Sequence, residues 1–372
     1  MTTQQSEGPR LFHPLSGCNV ATLFNVLTTN GALPANRLPH AAVASLATLG
    51  RFPFYTLEKL YVEWLKNRRP PMKPPIFIVG HWRGGTTHLY NVMVKSDTFG
   101  FVPPLATGLP WDLLGIGTIF RPFLEKALPE DRFIDNVPVK PDSPQEDEIA
   151  LANMTPLSFY HGLYFPTKFE ENFNRGVFFD GCTPQEIEAW QKIFIYFMEK
   201  MSLHQGGKQL LIKNPTYTAR VKMLHEMYPN AKFIHIHRNP FMVFPSMKNF
   251  YVKLFKELAL QPYDHVDIDD FVLKTYPRVM GAVLEDSKAL PENKFIEISH
   301  EDMEQDPIPV LERVYTQLEM PGFDEAKPKF EAYLASVKNY EKNKYAYPEE
   351  MTNKVRDNWG SFIDRWGYAP PA

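Results

Sequence analysis

The stretch Ile76–Met93, IFIVGHWRGGTTHLYNVM, constrains this chain more than any other. Ile76, Phe77, Ile78 and Val79 predict a buried strand, Gly80 to Gly85 a tight basic turn, and Thr86-Thr87 the start of a helix. Leu89, Val92 and Met93 fall on the inner side of that helix. Backbone N–H groups of such a loop converge on one point, and the helix dipole adds roughly half a positive charge there. The natural occupant is a phosphate.

The loop departs from the nucleotide triphosphate pattern, in which a lysine follows the second glycine to reach the β- and γ-phosphates. Thr86 stands at that position, and the positive charge sits inside the loop at Arg83. A terminal monophosphate-like group gripped by arginine, backbone and the Thr86 and Thr87 hydroxyls is therefore expected, with no requirement for a metal ion.

Further along, Gln209–Lys213 (QLLIK) and Lys232–His237 (KFIHIH) read as short apolar strands, each followed by a helix, and Phe295–Ser299 (FIEIS) as another. Strands alternating with long helices imply parallel pairing, so the expected class is α/β, a central parallel β-sheet flanked by helices in a P-loop-like three-layer arrangement. Ligands in such sheets bind at the carboxyl ends of strands, where Gly80, Lys213 and Arg238 lie. Arg238 and Ser246, eight residues apart across a strand end and the helix that follows, can converge on one phosphate.

The first stretch resembles the cofactor loop of the sulfotransferases, whose pattern is [RK]-S-G-T-T after an apolar strand, in the bacterial branch that carries arginine. Arg83, Gly85, Thr86 and Thr87 match; Gly84 stands where the family usually has serine. The resemblance implies that Arg83, Gly84, Gly85, Thr86, Thr87 and His88 hold the 5′ end of 3′-phosphoadenosine 5′-phosphosulfate, with Arg238 and Ser246 on its 3′-phosphate. It also implies a role for Lys213, 25 residues before Arg238, in stabilising the leaving oxygen. Related members carry a catalytic histidine two positions after that lysine, and here the position is Pro215. The general base must come from elsewhere. Glu146 is the first choice, Glu148 the second, and His161 and His204 follow. The competing structural role for Glu146 is a capping box with Ser143 and Pro144 at the start of a helix over Ile149–Met154.

A net charge of -3 argues against a general nucleic-acid surface. Cys18 and Cys182 read as free thiols in a reducing, cytoplasmic setting, and neither has metal-ligand spacing. Nothing approaches the roughly 20 apolar residues of a spanning helix. The runs 41–50 and 109–120 read as buried core or lid, with peripheral membrane contact as the alternative.

The expected organisation is a helical extension over 1–70, the α/β domain over 71–320 and a helical or irregular extension over 321–372. Pro34, Pro39 and Pro53 read as breaks before a helix over 57–67 whose stripe, Leu57, Leu60, Tyr61, Trp64 and Leu65, packs inward. Residues 103–144, with Trp111, Phe120 and Phe123, suggest an irregular aromatic wall favouring an acceptor with an apolar part. The tyrosines Tyr340, Tyr345 and Tyr347, among Lys338, Lys342 and Lys344, read as surface.

The expected activity is sulfuryl transfer to a hydroxyl, less readily an amine, on a small molecule, lipid or glycan. The rivals are a P-loop small-molecule kinase, disfavoured by Thr86, and a non-catalytic nucleotide-binding protein.

Overall fold

The computed structural model describes residues 8–66, 68–119, 121–122, 141, 143–338 and 345–371. The readings placed on Phe120, Phe123, Tyr340, Lys342 and Lys344 lie outside them. The chain divides into two compact units, one of residues 1–72, 102–206 and 251–266, the other of 73–101, 207–250 and 267–372.

The second unit is built on five strands: β1 (Ile76–Val79), β2 (Phe99–Gly100), β3 (Gln209–Lys213), β4 (Lys232–His237) and β5 (Phe295–Ser299). Their order is β2-β3-β1-β4-β5 and every pairing is parallel. This is the predicted α/β class. Ile78 lies opposite Lys213 on one side and Ile234 on the other, and His237 opposite Ser299. β1 is buried on both faces, which is why it reads as a continuous apolar run rather than an alternating one.

Successive side chains of a strand face opposite ways. Ile76 and Ile78 join a core with Leu89, Val92 and Met93 of the helix Thr86–Met93 and with Leu311 and Val314 of Pro307–Gln317. Phe77 points the other way, its ring centroid 5.8 Å from Tyr217 and 5.5 Å from Phe233. On that side the helix Ile268–Asp286 contacts the turn Pro215–Ala219. Helix, sheet and helix make the three layers.

The first unit is helical. Its segments are Val20–Thr29, Leu38–Lys66, Pro104–Gly108, Glu148–Ala152, Tyr160–Tyr164, Phe169–Phe178 and Pro184–His204, joined by the second half of Pro240–Leu258. Pro53 does not break the second of these. It sits inside one continuous helix of 29 residues, with Pro39 at its second position. The expected stripe on that helix exists but is not the buried face, because Tyr55, Glu58 and Val62 point inward while Leu57, Leu60, Tyr61 and Trp64 are exposed. The exposed face is the more apolar of the two, so hydrophobic periodicity alone selects the wrong one.

A set of buried ion pairs in this unit settles that orientation. Lys200, fully buried, pairs with Glu58 and donates to the carbonyls of Pro110 and Trp111 at 2.6 and 2.7 Å. Glu58 also accepts the N–H groups of Leu114 and Gly115. Arg51 pairs with Asp112 at 2.5 Å. Buried charges of this kind are tolerated only when paired and hydrogen-bonded, and here each is.

Candidate active site

Gly80, Lys213, Arg238 and His300 stand at or just past the carboxyl ends of β1, β3, β4 and β5, the edge at which parallel sheets bind ligands. The loop after β1 begins at Gly80, with φ +149°, where a Cβ would lie 2.3 Å from the Ile236 carbonyl oxygen. The buried Thr218 hydroxyl closes the turn. It accepts from the Gly80 N–H at 2.8 Å and donates to the Gly80 carbonyl at 3.0 Å.

Arg83 holds a left-handed conformation, φ +64°, unusual for a residue with a side chain and a mark of a constrained site. Its Nε donates to Ser246 Oγ at 2.8 Å. Arg238 donates from Nη1 to the Arg83 carbonyl at 3.4 Å. The two arginines expected at opposite ends of a ligand are thus in direct contact, and the serine expected beside Arg238 touches Arg83.

Arg238 is half-buried, and among the described residues its Nε, itself shielded from solvent, has no hydrogen-bond partner. Burial pushes its pKa below the usual arginine value, while Glu304 and Glu301 act in the opposite sense and Arg83 reinforces the fall. A half-buried guanidinium with an unspent, shielded donor next to a second arginine is a place that an anion stabilises.

The family serine position, Gly84, has a steric reason to lack a side chain. A Cβ there would come 2.8 Å from the His81 carbonyl oxygen, which already accepts the Gly84 N–H at 3.0 Å. Gly85, φ +95°, caps the helix Thr86–Met93, and its Cβ would meet His300 Nδ1 at 2.3 Å. Thr86 is buried at the first helical position. Lys213, buried at the end of β3, donates to Thr87 Oγ1 at 3.3 Å. His88 meets His300 edge-on at 6.4 Å. Arg83, Gly84, Gly85, Thr86, Thr87, His88, Lys213, Arg238 and Ser246 therefore all belong to one strand-end region of the second unit.

Three further residues belong there too, among them Tyr345, which the sequence reads as surface. Thr218 shapes the turn, Tyr345 donates to Ser246 Oγ at 3.4 Å, and His300 presses against Gly85. His300 is buried, with Nε2 paired to Glu304 at 2.7 Å and Nδ1 without a hydrogen-bond partner among the described residues. It was legible in one respect, since it directly follows the strand FIEIS at the ligand edge. Tyr345 carried no such signal.

Behind these groups, Tyr368 donates to Glu301 at 2.7 Å, so the 2.8 Å contact with His237 Nδ1 is a donation from the imidazole. The His237 ring stacks on Trp366 at 4.4 Å. Burial, then the neighbouring His235, lowers the His237 pKa to about 4.

The carboxylates proposed as base lie in the first unit. The capping box does not form: the helix begins at Glu148 rather than Ile149, and no side chain caps it. Pro144 and the two residues after it stay irregular, which leaves Glu146 half-buried outside any helix. Glu148 is buried and accepts from the Ser158 hydroxyl at 2.7 Å. His161 is buried between the carbonyls of Ala152 and Pro156, a structural setting, and burial lowers its pKa. Burial likewise lowers that of His204, which Gln205 contacts at Nδ1.

Comparison with known proteins agrees with this architecture. The family model described as the sulfotransferase family matches residues 74–325. The omega-hydroxy-beta-dihydromenaquinone-9 sulfotransferases Stf3 of Mycobacterium bovis and Mycobacterium tuberculosis are each 33% identical to this chain over 298 residues, covering 79% of it and 75% of the relative. Among solved structures, sulfotransferase STF9 from Mycobacterium avium superposes with a TM-score of 0.68 at 16% identity, covering 93% of this chain and 90% of the other. STF1 from Mycobacterium tuberculosis gives 0.60 at 13% identity, covering 91% and 90%. The fold is of the P-loop-like α/β class, and the family match makes the protein a transferase. The chain belongs to the sulfotransferase family.

Proposed function

We propose that this protein transfers a sulfuryl group from 3′-phosphoadenosine 5′-phosphosulfate to a hydroxyl on an apolar small molecule or lipid, in the cytoplasm. The observation that carries the reading is the Arg83–Ser246–Arg238 cluster, with its unspent Arg238 Nε, beside a loop whose glycines let it pack closely on Ile236, His81 and His300. That chemistry fits a doubly phosphorylated anion. The Stf3 relatives, named for a hydroxylated menaquinone acceptor, support the lipid alternative.

The donor, when bound, supplies the sulfuryl group and a phosphate leaving group. Arg83, Thr86 and Thr87 orient its charged end, and Lys213, held by Thr87, places an ammonium where negative charge gathers. Arg238 and Ser246 anchor the other phosphate. The acceptor hydroxyl needs a base, and Glu146, half-buried in an irregular stretch, fills that role better than the buried Glu148.

The test is incubation with isotopically labelled donor and a panel of hydroxylated lipids and phenols, read by mass spectrometry for products heavier by one sulfo group. Transfer from the sulfo donor is expected. Phosphorylation from ATP and Mg²⁺ with no sulfo transfer would replace the reading with a kinase. Tight nucleotide binding with no transfer of either kind would leave a binding protein.

A further inference from the structure

The helix Leu38–Lys66 carries an apolar face that nothing among the described residues of its own unit covers. Leu46, Leu49, Leu57, Leu60, Tyr61 and Trp64 are all exposed, Leu46 at 71% and Leu57 at 65%. With Ala42, Gly50 and Pro53, also exposed, they recur every three or four residues along the helix. The inward face, Ala44, Thr48, Tyr55 and Val62, lies on the opposite side. Phe24, 69% exposed, lies on the neighbouring helix Val20–Thr29, which packs on this one.

The structure assigns this face, we propose, to docking on an anionic lipid bilayer, with the helix lying in the plane of the headgroups. A helix of 29 residues is about 43 Å long, and monomeric proteins seldom expose a continuous apolar strip of that extent. It does not span. Among the described residues no helix is long and apolar enough to cross a membrane, and this one keeps a polar inner face with buried Glu58.

Charge and aromatic placement select lipid over a second copy of the chain. Arg51 and Glu58 are spent on interior pairs, so the exposed charges of the helix are Lys59, Lys66 and a single acid, Glu63. Arg68 follows, its guanidinium 4.4 Å above the Trp64 ring, and Trp64 stacks with Tyr61 at 6.3 Å. Tryptophan and tyrosine next to basic residues are what an interfacial helix places at headgroup level. A coiled-coil seam would instead be narrow and edged by charges of both signs. Here Phe52 and Phe54 flank the strip, and Gly50 and Pro53 lie on it. The inference stands apart from the proposed reaction, since it rests on none of the strand-end residues.

Co-sedimentation of the full chain with phosphatidylglycerol-containing and pure phosphatidylcholine vesicles tests it, with Leu57→Glu/Trp64→Glu as the variant. Both positions are exposed, so the variant should keep the thermal midpoint and the turnover of the parent on a water-soluble acceptor. Anionic vesicles should bind the parent at least about tenfold more tightly than neutral ones and the variant at least about tenfold more weakly than the parent. Equal binding of parent and variant, or no vesicle binding by the parent, overturns the proposal. So does a concentration-dependent dimer that the variant dissolves in sedimentation velocity without any vesicle binding. Loss of sulfo transfer in both proteins would count against the proposed reaction and leave the vesicle result standing.

Discussion

Arg83 Nε and Ser246 Oγ lie 2.8 Å apart, although 163 residues separate them in the chain. The contact joins the loop after β1 to the helix after β4, and Arg238 completes it by donating to the Arg83 carbonyl. Two basic corners that could have acted independently form one cluster. A ligand anchored by Arg238 is therefore held by a group that also fixes the backbone of the Arg83 loop.

Arg238→Ala removes the half-buried guanidinium and its unspent Nε. The dissociation constant for 3′-phosphoadenosine 5′-phosphate, read by calorimetry, should rise at least about tenfold, roughly 1.4 kcal/mol or more. Ser246→Ala should cost less, because Arg83 keeps its charge and loses one neutral partner. Unchanged titrations for both would remove the cluster from nucleotide binding.

Those strand ends were readable because short runs rich in β-branched and aromatic residues, each followed by a helix, mark parallel strands, and QLLIK, KFIHIH and FIEIS fall on the observed strands residue for residue, although β5 is buried on alternate residues only. β2, two residues at the sheet edge, is too short to leave a pattern. After β5 two helices follow, His300–Gln305 and Pro307–Gln317, divided at Asp306, since Pro307 cannot continue the first and starts the second. Of the site, the loop and the arginines were legible from spacing. Thr218 and His300 act through tertiary contact with Gly80 and Gly85, which no local pattern encodes. The outward face of Leu38–Lys66 was misread for the same reason: the partners that turn it, Lys200 and Asp112, are distant in the chain.

Glu146→Gln keeps the shape of the side chain and removes its basicity. A general base is worth about 10²–10⁴-fold in rate, so turnover should fall at least about 100-fold while nucleotide affinity holds. Glu148→Gln should instead lower the thermal midpoint, because its buried carboxylate accepts from Ser158. Full turnover in the Glu146 variant would shift the base to another group.

Gly85→Ala asks for two things the loop cannot give. Alanine is strained at φ +95°, and its Cβ would sit 2.3 Å from His300 Nδ1. Stability should fall by well over about 1 kcal/mol, as measured by urea unfolding, and nucleotide affinity with it. Adding His300→Ala relieves the clash but not the backbone strain, so the pair should be non-additive, with a coupling energy of about 0.5–3 kcal/mol. Strict additivity would show that the imidazole does not press on the loop.

Stability should fall on mild acidification, and three histidines set the window. Burial lowers His13, His81 and His237 each from 6.5 to about 4. In that interval the unfolded chain binds protons that the folded chain refuses, so stability rises with pH. The contribution is complete above about pH 6.5, is lost as the pH falls toward 4, and changes no further below that. Each group contributes at most on the order of 3 kcal/mol. His237→Phe retains a ring on Trp366 and removes one titration, so its thermal midpoint should depend less steeply on pH between 6.5 and 4 than the parent's. Phenylalanine also gives up the contact with Tyr368, which lowers stability at neutral pH, and that offset is the control: a uniform drop across the whole range, with the slope intact, would mean that His237 does not change its protonation on unfolding.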